Sequence, residues 1–96
     1  MLNGLLPIGS VVLLNESEKR VMIVGFGQKS DQNPEKLWDY VGVLFPEGYM
    51  FADKLFLFDN DQIKQIYALG YQDIEQLSFK SKIDVAIEQL RTQEHK

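Results

Sequence analysis

Apolar positions along the chain fall into five short runs, and the period changes near residue 73. Pro7-Ile8-Gly9-Ser10 has turn chemistry, and Ser10 to Leu14 then reads as a strand rich in branched side chains. Asn15-Glu16-Ser17-Glu18 is a polar break of hairpin length. Lys19 to Phe26 is apolar at successive positions, which predicts a strand covered on both faces. Gly25 and Gly27 around Phe26 mark a bulge or a strand end. Gln28 to Lys36 is polar, holds Pro34 and shows no period, so it reads as an exposed loop that tolerates change. Leu37 to Phe45 is the third strand, stopped by Pro46-Glu47-Gly48. Tyr49 to Asp53 has no clear pattern, and Leu55 to Phe58 is a short, dense apolar strand. Asp59 and Asn60 have the chemistry to cap one helical turn. Ile63 to Tyr71 then reads as a fifth strand, with a helix over 61–69 as the alternative. Val12, Leu14, Val21, Ile23, Val41, Val43, Leu55 and Leu57 are the expected core.

From Asp73 onward the apolar period is helical, and Asp73 with Gln76 has capping-box spacing. At ~100° per residue, Ile74 and Leu77 fall on one side, while Phe79, Ile83, Ala86, Ile87 and Leu90 fall on nearly the opposite side. A continuous helix therefore carries two opposed stripes, and a break near Ser78 to Ser81 is the alternative. Phe79, Ile83, Ile87 and Leu90 are the candidate partner interface, facing a copy of the chain (a homodimer through this helix) or a second protein. The predicted architecture is mainly β with a C-terminal α-helix: a small five-stranded, SH3-like curved barrel over 6–71, a helical segment over 73–92 and a frayed tail over 93–96, all in one domain of 96 residues.

Composition narrows the function classes. The chain is 45% hydrophobic and 11% aromatic, an ordinary globular balance. It has no cysteine, so neither a disulfide framework nor a thiolate metal cluster can form. The net charge of −4 opposes binding to phosphate backbones and anionic membrane surfaces, and the longest basic run is Lys19-Arg20 beside Glu16 and Glu18. The apolar stretch at Met1 to Leu14 has no basic residue before it, is interrupted by Pro7 and Gly9, and is too short to span a bilayer. It reads as the first strand with its lead-in, in a chain that stays in the cytoplasm.

Catalytic and cofactor patterns fail one by one. The single histidine, His95, stands one residue from the end, where nothing would hold a general base. Asp59-Asn60-Asp61 begins like a calcium loop, but Lys64 and Gly70 occupy the positions that need glycine and glutamate. Gly25-Phe26-Gly27 lacks the third glycine and the helix of a dinucleotide fingerprint. No catalytic residue, metal site or cofactor is expected. Asp39, between Trp38 and Tyr40 inside an apolar strand, has two readings. It is an outward-facing acid, or a polar anchor in a candidate groove formed by Trp38, Asp39 and Tyr40. The aromatics from Trp38 to Phe58 either fill the core or line a peptide groove.

Leu6-Pro7-Ile8-Gly9-Ser10-Val11-Val12-x-Leu14, then Val21-Met22-Ile23-Val24-Gly25, then Asp39 through Gly48, resemble a family of small proteins from Gram-positive bacteria known as a domain of unknown function, DUF 4176. The resemblance extends loosely to Gly70-Tyr71 and does not include the C-terminal helix. It implies an accessory of type VII secretion, encoded near toxins with a Leu-x-Gly domain, and carries no catalytic residues over. The expected function is a non-enzymatic protein-interaction module, chaperone-like toward a secreted effector. An immunity-type toxin-binding protein and a small-molecule-binding barrel are the alternatives.

Overall fold

The computed structural model describes residues 4–51 and 54–94. Among them, five strands form one antiparallel sheet: β1 (Val11–Leu14), β2 (Val21–Ser30), β3 (Asn33–Leu44), β4 (Phe56–Phe58) and β5 (Ile63–Ala68). One helix, α1 (Ile74–Glu94), follows. The strand order is β4-β3-β2-β1-β5, so β4 and β5 are the two edges and are not hydrogen-bonded to each other. The mainly β fold with a C-terminal helix is as expected, but the sheet is open where a barrel would be closed. It is nevertheless bent. Five strands laid flat put their outer strands roughly 19 Å apart. The link from Phe58 to Ile63 runs through a single 3-10 turn, Asn60–Gln62, and reaches no more than about 15 Å. The sheet must curl for so short a segment to join its edges.

Between β2 and β5, β1 is hydrogen-bonded on both sides, and Val11, Val12 and Leu13 are all buried. The doubly covered run is thus β1 rather than β2. In β2, Val21 and Ile23 face the core, while Val24 lies at a register shift and is exposed. That shift is the bulge signalled by Gly25, and β2 continues past it. The expected loop over 28–36 is instead the tip of the β2–β3 hairpin. The Ser30 hydroxyl accepts from the N–H groups of Gln32 and Asn33 at 3.0 and 3.2 Å and closes the turn. The tip extends beyond the apolar body, so its strands carry polar side chains on both faces and show no period of two.

Leu5, Leu6, Val12, Val21, Ile23, Leu37, Tyr40, Phe58 and Ile87 form the core, with Leu14, Phe26, Leu44, Ile63 and Ile83 packed around it. Of the expected core positions, Val43 is also buried, and Val41 and Leu57 are partly so. Leu55 is exposed, because it precedes the three residues of edge strand β4 that pair with β3. Pro46-Glu47-Gly48 turns as expected: Gly48 takes φ +80° and donates to the Leu44 carbonyl. Asp59 precedes the 3-10 turn, and its own N–H donates to Gln62 Oε1 at 2.8 Å. The helix runs unbroken through Ser78 and Ser81 to Glu94, beyond the expected start of fraying at Gln93, and Asp73 accepts from the Gln76 N–H. His95 lies outside the described residues.

The lead-in to β1 crosses the exit from β5 in backbone contact. Gly9 takes φ +92°, and the Ser10 hydroxyl accepts from the Gly70 N–H at 3.0 Å while donating to the Pro7 carbonyl at 2.7 Å. A methyl group on Gly70 would stand 1.8 Å from the Ile8 carbonyl oxygen, which is rigid backbone. Gly70→Ala is therefore expected to cost about 1–3 kcal/mol in urea melts, against a change within about 0.5 kcal/mol for Lys64→Ala on exposed β5. Equal midpoints for the two variants would show that the crossing yields without cost.

Candidate functional site

The β3–β4 ladder ends with Tyr40 opposite Phe58. One step further Asp39 faces Asp59, where β4 has already given way to the 3-10 turn. Side-chain carboxylates take over the pairing. The Asp39 N–H donates to Asp59 Oδ1 at 3.0 Å, and the Asn60 N–H donates to Asp39 Oδ2 at 2.8 Å. Two acids thus stand side by side with little water around them, their side chains only 9% and 16% exposed. Such an arrangement requires cations. Arg91, from the last turns of α1, supplies one: its Nη2 donates to Asp59 Oδ1 and to the Leu37 carbonyl, both at 2.9 Å, and lies 2.8 Å from Asp39 Oδ1. Lys36 supplies the other, with Nζ donating to Asp59 Oδ2 at 2.8 Å and lying 4.7 Å from the Trp38 ring centroid.

All four carboxylate oxygens are engaged by backbone N–H groups or by the two cations. The cluster does mechanical work: it fastens the end of the helix to the end of the sheet. The outward-facing reading of Asp39 is corrected, since the residue is 6% exposed. What Asp39 holds is Arg91 of α1. Of the candidate groove residues, Asp39 and Tyr40 are buried rather than displayed on a surface. Tyr40 is wholly buried, with ring centroids 5.2 Å from Phe58 and 6.1 Å from Phe26. Its hydroxyl accepts from the Leu6 N–H at 2.9 Å and donates to Asn60 Oδ1, while Asn60 Nδ2 donates to the Gly4 carbonyl. Burial pushes the Tyr40 phenol well above its ordinary value. Trp38 Nε1 is buried with no hydrogen-bond partner.

The helix places its apolar stripe on the sheet. Ile87 is buried, Ile83 is partly buried against the core, and the Phe79 ring lies 6.2 Å from that of Phe26. Ile83 and Ile87 are consequently not a free interface. Phe79 and Leu90 flank the contact, each about half exposed, and the opposite side shows Ile74 and Leu77 to solvent. Leu5, Leu6, Ile8, Phe26, Gln76, Phe79, Lys80 and Ile83 enclose a crevice of about 40 Å³, which is water-sized. A second set of exposed apolar side chains lies at the β3–β4 connection, where Tyr49, Met50 and Phe51 are each more than 60% exposed, and Leu55, just before β4, and Phe56, its first residue, are exposed as well. Among the described residues, no three His, Cys, Asp or Glu side chains are grouped to hold a metal ion, and no helix is long and apolar enough to cross a membrane.

Sequence reasoning missed Arg91, Asp59 and Lys36. The available signal was the four-residue spacing of Ile83, Ile87 and Arg91 along one helix face. In comparisons with known proteins, one family model matches residues 5–79, and its description is "Domain of unknown function (DUF4176)". No curated protein and no solved structure matches the chain.

Two outcomes test the cluster. Arg91→Met leaves both acids without their shared cation and is expected to cost about 1–3 kcal/mol, below the range for fully buried pairs because Arg91 is one-third exposed. Adding Asp39→Asn should recover part of that loss in a double-mutant cycle, and additive effects would refute the coupling. For Tyr40, the unfolded chain releases the phenolic proton near 10.0, before the folded chain does. This share of stability is fully present below that pH and is lost as pH rises above it. Tyr40→Phe should lower stability by about 1–2 kcal/mol at neutral pH and flatten its decline above pH 10, measured by urea melts across pH.

Proposed function

We propose, for a chain that belongs to this domain-of-unknown-function family, that it is a non-enzymatic protein-interaction module. The observation that carries this reading is the exposed cluster at the β3–β4 connection, where Tyr49, Met50 and Phe51 follow one another with more than half of each side chain in solvent. Isolated exposed apolar residues are ordinary, but consecutive large ones are costly in water and mark surfaces that become covered. Enzymatic use of the Asp39–Asp59 pair is disfavoured by its full engagement in hydrogen bonds and ion pairs.

The family resemblance supplies the cellular setting of the reading: a cytosolic, chaperone-like accessory to an effector of type VII secretion. An exposed apolar cluster on a net-acidic domain suits that role, since it can cover an apolar segment of a client while charge keeps the domain dispersed. The test is Tyr49→Ser/Met50→Ser/Phe51→Ser. These side chains contribute little to the core, so the midpoint of unfolding should stay within about 1 kcal/mol of the parent. A partner that co-purifies with the parent from the native host should be lost with the triple variant. Retention of that partner at parental yield would remove this cluster from the interface.

A further inference from the structure

The C-terminal half of α1 is held in a manner that defines what its seat recognises. Ile83, Ile87 and Arg91 are spaced by four residues and share one helix face. Leu5, Leu6, Phe26 and Leu37 belong to the apolar cluster on which the two isoleucines pack, and Gly27 leaves open the space beside Ile87: a methyl group there would come within 3.7 Å of Ile87 Cδ1. At the far end the seat is acidic, with Asp39 and Asp59 receiving the Arg91 guanidinium. The seat therefore has an apolar floor and an anionic end, and it fits a helix of one polarity and one spacing.

The occupant buries little of its own surface. Of the described residues of this 21-residue helix, only Ile87 is buried. The floor and both acids lie within the family match, residues 5–79, while Ile83, Ile87 and Arg91 lie beyond it. A short link, residues 69–73, joins the helix to β5. Elements with few buried contacts open at a smaller free-energy cost than the whole domain.

We propose that this half of α1 is a displaceable occupant of a helix-binding groove, and that the partner is a helix presenting two branched aliphatic side chains at i and i+4 and an arginine at i+8. Charge complementarity to Asp39 and Asp59 selects that partner over a purely apolar helix. The tethered helix competes at high effective concentration, so it lowers the apparent affinity of any partner until it is released. The inference rests on the interaction-module reading but uses a surface separate from Tyr49–Phe51.

The test uses the full chain and a fluorescent peptide of the sequence from Ile74 to Glu94. Arg91→Glu in the protein repels its own helix from the acids. The parental peptide should bind this variant at least tenfold more tightly than it binds the parent, and the same peptide carrying Arg91→Glu should bind neither. Hydrogen exchange should show faster exchange in the variant from residue 83 onward, with the β2–β3 hairpin unchanged. Should Arg91→Glu fail to fold, the parent is measured at low and high salt: charge screening should speed exchange in this half of the helix and leave the hairpin as it was. Equal peptide affinity for both proteins, or helix protection equal to that of the hairpin at both salt concentrations, overturns the proposal. A doubled mass of the variant by light scattering overturns the choice of occupant, assigning the groove to a second copy. Failure here alongside loss of the native partner in the Tyr49–Phe51 variant removes the groove and leaves the module reading standing.

Discussion

Where β4 turns away from β3, the backbone N–H groups of Asp39 and Asn60 lose their place in a ladder, and the remaining structure is arranged around how they are satisfied. A buried donor left without an acceptor costs more than a hydrogen bond gains. Two carboxylates meet the need, at the cost of setting two like charges together in a poorly solvated corner. The corner then demands positive charge, and Arg91 brings the helix with it. One unsatisfied strand end thus fixes where the second layer of the fold must lie. Ion pairs of this kind gain little net stability over apolar side chains of the same volume, but taking one partner away leaves a poorly solvated charge uncompensated, and that penalty ties α1 to its seat.

The N-terminal lead-in depends on the same region. Tyr40, adjacent to Asp39, receives the Leu6 N–H, and Asn60, adjacent to Asp59, reaches the Gly4 carbonyl. Asp84 of the helix accepts from the Leu5 N–H at 2.9 Å. Leu5 and Leu6 are thereby held beneath the helix by polar contacts on either side, and their side chains complete the floor on which Ile83 and Ile87 rest. Sheet, lead-in and helix share one set of hydrogen bonds, which gives a domain with a modest core a single preferred packing.

Much of this was legible in the amino-acid sequence because it depends on neighbours in the chain. Branched runs gave β1, β2 and β3, Pro46-Glu47-Gly48 gave a turn, and the change of period at Asp73 gave the helix. The hairpin tip was hidden because a strand exposed on both faces has no apolar alternation to reveal it. Leu55 was misplaced because its dense apolar run does not disclose that β4 is an edge only three residues long. Asp39 was the hardest case. An acid in an apolar strand reads as outward unless its partner is known, and that partner stands 52 positions away on another element. Helix spacing placed Ile83 and Ile87 on one face but left open whether the face turned inward. Arg91 settles that orientation, and its meaning appears only once Asp39 and Asp59 are opposite each other.

The position of β1 bears on how the protein is made. Its strand lies between β2, which follows at once, and β5, which begins about fifty residues later. A chain emerging from the ribosome can form β1 through β4 as a meander, yet β1 then presents an unpaired apolar edge until Ile63–Ala68 appears. The Gly70 crossing that locks the lead-in comes later still. The interval of greatest exposure to aggregation is therefore set by the last strand to be synthesised, so a stalled or truncated chain lacking β5 would be sticky in a way that the finished domain is not.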